Sequence, residues 1–203
     1  MSSIIVSTID STDLAEVVAL HIEAFPGFFL SRLGPGVLRL FYAEFVDHPD
    51  AVALTARLDR VLVGIAVGPT IPSQFFRRLV RRRWLQLAVA SAPHMLRNPH
   101  EIPRMARSIV FRGREGVTGG GLLSSICVAP RARASGVGRL LLSHWEERMA
   151  SRGIEQLHLT TDAVDNEATI RFYRKAGWEV VRSFTTRDGR RMHLMSKELT
   201  GVA

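Results

Sequence analysis

The sequence predicts a single α+β domain, residues 1–203, in which a mixed, mostly antiparallel sheet is flanked by helices in three layers. Three observations predict this class. The first half alternates a strand, two helices and a hairpin. An apolar strand is then followed by a glycine loop and a helix. A second hairpin is predicted at the end of the chain. With 203 residues, 46% of them hydrophobic, the chain can bury one full core.

The first strand is predicted at Ile4 to Ile9, and Asp10 or Ser11 is expected to cap a helix that reaches about Phe25. His21 falls on the apolar side of that helix. A histidine in that position is more often part of a core or a pocket wall than a catalyst.

A second helix is predicted from about Pro35 to Asp47, because apolar residues recur at helical spacing and proline suits a first turn. Two strands follow, Ala51 to Arg57 and Arg60 to Gly68, with the turn expected at Leu58 and Asp59.

Residues 70–119 form an insertion that is too long for a structureless loop, so we expect helices there. Ser73 is the expected cap of the first, with Phe76, Leu79, Val80, Trp84 and Leu87 on one side and Arg77, Arg78, Arg81 and Arg82 largely on the other. A further helix is predicted over Ile102 to Phe111, and Gly116 to Gly121 should provide a flexible return to the sheet.

The cluster from Arg77 to Arg83 has three interpretations. It could be a solvated face of a helix that caps the sheet. It could attract an anionic substrate, such as the phosphates of a nucleotide-linked sugar. It could also contact an anionic membrane surface. Nucleic acid is not an expected partner, because the cluster lacks the interleaved aromatics on which bases stack.

Composition predicts a cytoplasmic protein. The N-terminus lacks a basic leader region, no apolar run approaches the roughly 20 residues needed to span a bilayer, and Cys127 is the single cysteine. The formal net charge of +8 favours anionic partners.

The glycine loop carries the main chemical signal. An apolar run, Leu122 to Val128, leads into Arg133-x-x-Gly136-x-Gly138 and then an amphipathic segment from about Arg139 to Arg152. Main-chain N–H groups of such a loop converge on an anion, and the following helix adds its positive dipole end. Neither the GxGxxG nor the Walker A spacing is present.

Downstream, Asn166-x-Ala168 precedes Phe172-Tyr173-x-x-x-Gly177-Trp178. Together with the glycine loop, this pattern resembles the GNAT acetyltransferase superfamily. The resemblance is close over the C-terminal two-fifths of the chain, and it implies the GNAT fold with a helical insertion between the third and fourth strands.

The resemblance also implies acetyl-CoA as co-substrate and no metal. The backbone of Ile126, Cys127 and Val128 should hold the pantetheine arm and the thioester carbonyl, and Asn166 should contact the cofactor from the next strand. The diphosphate should lie against a loop formed by Arg133, Ala134, Ser135, Gly136, Val137, Gly138 and Arg139.

Tyr173 occupies the position from which GNAT tyrosines reach the thioester sulfur, so it is the predicted general acid; the alternative is a packing role beside the cofactor. Many members of the family carry a glutamate that acts as the general base. The corresponding stretches of this sequence contain no carboxylate. The candidates for the proton acceptor are Asp162, His21, His158, His193 and a water relay. Phe28 and Phe29 could fill the core or line the acceptor pocket.

The predicted function is therefore transfer of the acetyl group of acetyl-CoA directly to a primary amine of a small molecule, such as an amino sugar or a nucleotide-linked amino sugar. The alternatives are acetylation of peptide or protein N-termini, and a noncatalytic acyl-CoA-binding module whose basic helix binds a membrane or partner.

Overall fold

A computed structural model describes residues 3–98, 120–186 and 189–199. Eight strands are assigned: β1 Ile4–Thr8, β2 Ala51–Leu58, β3 Val61–Pro69, β4 Gly121–Leu122, β5 Ser125–Val128, β6 Gln156–Asp162, β7 Glu179–Thr185 and β8 Arg191–Glu198. The helices are α1 Leu14–Ala24, α2 Phe29–Arg32, α3 Pro35–Asp47, α4 Pro72–Arg97, α5 Val137–Ala150 and α6 Glu167–Lys175.

The strands form two four-stranded sheets. One has the order β1-β2-β3-β5 and the other β4-β6-β8-β7, and only the β4–β6 pair is parallel. The predicted mixed, mostly antiparallel sheet with flanking helices is therefore confirmed. The two sheets are joined through the short link between β4 and β5.

Helices cover both faces of the first sheet. On β3, a Cβ added to Gly64 would lie 2.7 Å from Leu141, and one added to Gly68 would lie 2.6 Å from Trp145, so α5 packs directly on this face. Helices α1 and α3 pack on the other face. The core that they enclose includes fully buried large side chains: Trp145, Trp178, Tyr42, Phe45, Phe75 and Leu38.

The predictions for α3 and the closing hairpin are confirmed, and the turn of the first hairpin lies one residue later than predicted. Helix α3 has the predicted bounds, and the closing hairpin is present with Gly189 at φ +82°. The first hairpin turns at Asp59 and Arg60, with φ +49° and +68°, and not at Leu58. Consecutive left-handed residues suit a tight turn between twisted strands.

The predicted helical character of the insertion is confirmed for α4, which starts at Pro72 with Ile71 as its N-cap residue and not Ser73. Trp84, expected on the buried side, is exposed. The predicted helix at 102–111 and the glycines before Gly120 lie outside the described residues.

The placement of Trp84 follows from an ionic contact that the apolar pattern hides. The buried side of α4 continues from Leu79 to Arg83, whose Nε donates to Oε2 of the fully buried Glu44 at 3.0 Å. Arg83 also donates to Asp47 at 2.6 Å, and Nε of Arg78 lies 3.3 Å from Glu44 Oε1. Because Glu44 neutralises Arg83, a partly buried cation lies on the side of α4 where the sequence pattern predicts an apolar residue.

Within the described ranges, no helix has both the length and the apolar character required to cross a bilayer.

Candidate active site

A gap opens between the two sheets at the end of β4. The parallel ladder joins Leu122 to His158 and ends with a bond from Leu123 N to His158 O at 3.0 Å. The next residue, Ser124, donates instead to Val67 O at 2.9 Å, and β5 continues along β3. Strand β6 continues along β8. The edges of β5 and β6 thus diverge, which leaves main-chain groups of β5 available to a ligand.

Successive side chains on β5 point to opposite faces of the first sheet. Val128 lies toward α5, 3.6 Å from the position that a Cβ on Gly138 would take. Cys127 is buried on the opposite face, where Ser125 approaches α3. Only the backbone of Cys127 is therefore placed to contact a ligand in the gap.

The glycine loop lies at the end of β5 and opens α5. Gly136 is the N-cap residue with φ +88°, and Ala134 is also left-handed, with φ +62°. No side chain caps the helix, the loop from Arg133 to Gly136 is exposed, and a Cβ on Gly136 would meet no atom within 4 Å among the described residues. The loop is therefore open to solvent at the N-terminus of α5, an arrangement that suits an anion such as the diphosphate of coenzyme A.

Of the arginines near this loop, Arg133 and Arg139 are exposed. The nearby Arg131 is directed elsewhere, because its guanidinium lies 3.6 Å from Glu23 and donates to Leu62 O at 3.3 Å. It ties the loop to α1 and β3. Ser135 donates to Ala132 O at 2.6 Å, which helps to hold the turn in the loop.

Helix α6 brings the second motif against the first. Phe172 lies 3.5 Å from the Cβ position of Gly138, and its ring centroid lies 5.1 Å from that of Tyr173. Asn166 precedes α6, but its amide donates back to Thr161 Oγ1 at 2.7 Å and to Asp162 O at 2.9 Å. Asn166 therefore fixes the β6–α6 loop and does not cap the helix with its side chain.

Tyr173 sits in an apolar environment. It is buried, and its ring centroid is 5.9 Å from that of Trp178. Burial raises the pKa of the Tyr173 hydroxyl, since the phenolate would lose its hydration. The hydroxyl stays protonated at neutral pH and can donate a proton or a hydrogen bond. Gly177 follows α6 with φ +85°, a left-handed conformation that ends the helix.

A polar chain crosses the layer between the first sheet and its helices. His21 Nδ1 lies 2.6 Å from the hydroxyl of Tyr42, and that hydroxyl donates to Ser125 Oγ at 3.4 Å. Both rings are buried. The chain ends at the first residue of β5, beside the gap. His21 thus occupies the predicted apolar side of α1, but it has polar partners that the sequence did not indicate.

A cavity of about 360 Å³ adjoins this chain. Its lining residues are Phe25, Gly27, Phe28, Phe29, Arg32, Asp162 and Arg190. Arg190 donates to both oxygens of Asp162 at 2.8 Å. The ring of His21 packs against Phe25 and Phe28 at centroid distances of 5.1 and 6.2 Å. The cavity therefore combines an aromatic wall with charged groups at the end of β6.

The other predicted proton acceptors are less well placed. His158 is buried beneath the ladder between β4 and β6, and burial lowers its pKa. His193 contacts Ser183 Oγ at 2.8 Å across the final hairpin. Both oxygens of Asp162 are engaged by Arg190.

Three polar residues of this region were not singled out from the sequence: Tyr42, Ser125 and Arg190. Tyr42 lies within the apolar stripe of α3, and Arg190 follows Gly189 in the loop of the closing hairpin. The local sequence around each position looks the same as it would for a residue with a purely structural role. Only the folded structure shows that these residues lie at the site. No group of three or more metal-ligating side chains that could hold an ion occurs in the described parts of the chain.

A sequence profile of the Acetyltransferase (GNAT) family matches residues 15–178. That segment includes the glycine loop, Asn166, Tyr173 and the polar chain of His21. No curated protein sequence gives a significant match.

Solved structures show the same fold at low identity. The ribosomal-protein-S18-alanine N-acetyltransferase of Escherichia coli has TM-score 0.63 and 16% identity, with 99% of this chain and 97% of that one covered. The ribosomal-protein-alanine N-acetyltransferase of Brucella melitensis gives 0.65 and 20%, covering 96% and 99%. The paia N-acetyltransferase of Thermoplasma acidophilum, in complex with coenzyme A, gives 0.62 and 16%, covering 97% and 99%.

The family profile spans most of the chain, and the divided sheet, the open glycine loop and the neighbouring aromatic helix agree with it. This protein belongs to the GNAT family and is an acetyl-CoA-dependent acetyltransferase.

Proposed function

We propose that the protein transfers the acetyl group of acetyl-CoA directly to a primary amine of a small anionic molecule, of which a nucleotide-linked amino sugar is an example. The observation that supports this proposal best is the cavity lined by Arg32, Asp162 and Arg190. It is bordered by the last residue of β6, and β6 forms one side of the gap between the sheets.

The donor side of the site uses main-chain groups. Amides from Ala134 to Arg139 hold the diphosphate, because the left-handed turns at Ala134 and Gly136 expose successive N–H groups and α5 adds its dipole. The backbone of Ile126, Cys127 and Val128 holds the pantetheine arm along the open edge of β5. Asn166 keeps the β6–α6 loop in position from the other side of the gap.

Acetyl-CoA supplies an activated acetyl thioester. Tyr173 donates its proton to the departing sulfur, a role for which burial keeps the phenol in its protonated form. The buried Cys127 does not act as a nucleophile, because burial raises its pKa to about 12 and the thiolate would be scarce at neutral pH. The amine therefore attacks the thioester without a covalent enzyme intermediate.

The acceptor side uses the charged and aromatic residues of the cavity. Phe25 and Phe28 provide an apolar wall, and Arg190 offers a planar donor for a carboxylate or phosphate. The guanidinium is partly exposed, so an anionic ligand can reach it. The proton lost by the amine passes to Ser125 and through Tyr42 to His21. For this transfer both hydroxyl hydrogens rotate, so that Ser125 donates to Tyr42 and Tyr42 donates to Nδ1 of His21.

The basic helix α4 contributes less to acceptor binding than the sequence suggested. The residues that line the acceptor cavity all lie outside α4. Pairing with a carboxylate does not by itself remove an arginine from the site, because Arg190 lines the cavity while it contacts Asp162. The anionic preference now rests on Arg32 and Arg190.

The test is acetyl-CoA turnover, followed as release of free thiol, across amino sugars, nucleotide-linked amino sugars, polyamines and alanine-terminated peptides. We expect the nucleotide-linked amines to give the highest kcat/KM. An Arg190→Gln variant should raise the acceptor KM by about tenfold or more, as expected for loss of a charge-assisted contact, with the acetyl-CoA KM unchanged.

The matched control is Arg191→Gln, which removes the neighbouring exposed charge on β8. Equal effects of the two substitutions would contradict the assignment of Arg190. Preference for alanine-terminated peptides would assign the chain to the peptide-acetylating class, and acetyl-CoA binding without turnover of any amine would favour a noncatalytic role.

A further inference from the structure

The outer face of α4 carries an exposed apolar stripe. Leu85, Val89 and Leu96 are 58%, 73% and 83% exposed, and their spacing places them along one side of the helix. Trp84 beside them is 59% exposed. Trp84 lies about 100° from Leu85 around the helix axis, at the edge of the same solvent-exposed half of α4. Exposure of these large apolar side chains to water is unfavourable, so such a patch is typical of an interaction surface.

The same helix carries a cationic face in the turns before this stripe. Arg77, Arg81 and Arg82 are exposed, and no ion pair involves them in the described structure. In contrast, Arg78 and Arg83 contact Glu44. Helix α4 itself contains no Asp or Glu. Its outer surface is therefore both apolar and positively charged, without local neutralisation.

We propose that this face of α4 docks the enzyme on an anionic lipid membrane. A helix that lies in the interface plane inserts apolar side chains between lipid headgroups and places arginines among the phosphates. Along the helix Trp84 lies between the arginines and the apolar stripe, and tryptophan is enriched at the headgroup level of bilayer interfaces. The inference rests only on α4, so it stands or fails independently of the acceptor proposed above.

The charge pattern favours a membrane over a second copy of the chain. A symmetric dimer formed through α4 would bring the arginines of two identical helices close together, and the helix has no acidic residue to pair with them. A bilayer containing phosphatidylglycerol satisfies both parts of the face. It accepts the apolar stripe and supplies the negative charge.

Intrinsic fluorescence provides a direct probe. The chain has three tryptophans, and Trp145 and Trp178 are buried in the core, so Trp84 is the one that reports on α4. We expect its emission to shift to shorter wavelength when vesicles of phosphatidylcholine with phosphatidylglycerol are added at low salt, with little shift for pure phosphatidylcholine. In parallel, the protein should sediment with the anionic vesicles. Trp84→Phe should remove the spectral shift and largely retain sedimentation.

Substitutions separate the two parts of the face. Each interfacial arginine contributes about a fivefold factor to the partition coefficient, so Arg77→Gln, Arg81→Gln and Arg82→Gln together should reduce it by about 100-fold. Leu85→Gln, Val89→Gln and Leu96→Gln together should reduce it by at least about tenfold and abolish the Trp84 shift. The matched control, Arg60→Gln, Arg148→Gln and Arg182→Gln, removes three exposed charges from other elements and should retain most of the binding.

Circular dichroism of each variant checks that the fold is retained. Absence of sedimentation with anionic vesicles, or equal losses for the two arginine triplets, would overturn the proposal. So would a lipid-free dimer that dissociates in the Leu85, Val89 and Leu96 variant, because the apolar stripe would then belong to a contact between copies. The arginine variant keeps the test decisive if the apolar variant does not fold.

Discussion

The hydroxyl of Tyr42 lies 2.6 Å from Nδ1 of His21, although the two residues come from different helices and are both buried. The same hydroxyl donates to Ser125 at the start of β5. A continuous polar path therefore runs from the edge of the active-site gap to a histidine among the aromatic residues of the acceptor cavity. In the proposed function, this path takes the place of the glutamate that the sequence lacks.

Tyr42→Phe should interrupt the proton path while preserving the shape of the core. We expect kcat to fall by about 100-fold at neutral pH, the range typical of a lost general base, with the acetyl-CoA KM unchanged. His21→Gln should have a similar effect, and the double variant should be little worse than either single one, because the residues act in series. Steady-state kinetics of the three variants, together with the pH profile of kcat, measure this. Wild-type kcat in Tyr42→Phe would exclude the path.

Tyr173→Phe should remove the general acid without disturbing its packing, since the ring still contacts Phe172 and Trp178. We expect kcat to fall by about 100-fold and the dissociation constant of acetyl-CoA to stay within about threefold of the original. Because burial raises the pKa of Tyr173, the wild-type enzyme should show no alkaline loss of activity from this group below about pH 10. Unchanged kcat together with weakened acetyl-CoA binding would assign Tyr173 a packing role.

The stability of the fold should decrease at alkaline pH because of Cys127. Its pKa is raised from 9.0 to about 12 by burial and, secondarily, by Glu23. Above pH 9 the unfolded thiol loses its proton and the folded one keeps it, so the free energy of unfolding should fall by about 1.4 kcal/mol per pH unit from this group until about pH 12. Below pH 9 its contribution is complete.

Urea unfolding at pH 8, 9 and 10 measures the slope, and Cys127→Ala should reduce it between pH 9 and 10. A slope identical in the two proteins would show that the thiol titrates normally in the folded state.

Gly68→Ala should damage the junction where the two sheets meet. A Cβ at this position would lie 2.0 Å from Leu122 O and 2.6 Å from Trp145, and neither the strand backbone nor a buried indole can move easily. We expect a loss of at least about 3 kcal/mol in the free energy of unfolding, measured by urea denaturation. Gly27→Ala is the matched control, because an added Cβ there meets no atom within 4 Å among the described residues. Similar losses for the two variants would contradict the close packing at Gly68.

The parts of the fold that depend on local signals could be predicted from the sequence. The turn at Gly136, the stop of α6 at Gly177 and the bounds of α3 each follow from glycine or proline chemistry and helical spacing. The glycine loop and the aromatic pair could also be assigned to one site, because both belong to a pattern shared across a family.

What could not be predicted depends on contacts between distant residues. Tyr42 and Ser125 are 83 positions apart, so their contact exists only after the sheet has formed. The apolar spacing of the helix would place Trp84 on the buried side, because sequence spacing alone does not distinguish an exposed tryptophan from a buried one. Its exposure follows from the pairing of Arg83 with Glu44, 39 positions away, which draws a cation to the buried side of α4.

We propose that main-chain amides around Gly136 and Gly138 hold the diphosphate of coenzyme A. A Cβ on Gly138 would lie at ordinary contact distances of 3.5 Å from Phe172 and 3.6 Å from Val128, so Gly138→Ala should fold normally while its methyl group crowds the bound diphosphate. Calorimetric titration of wild type and Gly138→Ala with acetyl-CoA, and with acetyl-pantetheine that lacks the diphosphate, isolates this contact. We predict that the variant binds acetyl-CoA at least about tenfold more weakly, equivalent to about 1.4 kcal/mol, and binds acetyl-pantetheine as wild type does. Equal affinity of the two proteins for acetyl-CoA would contradict the account.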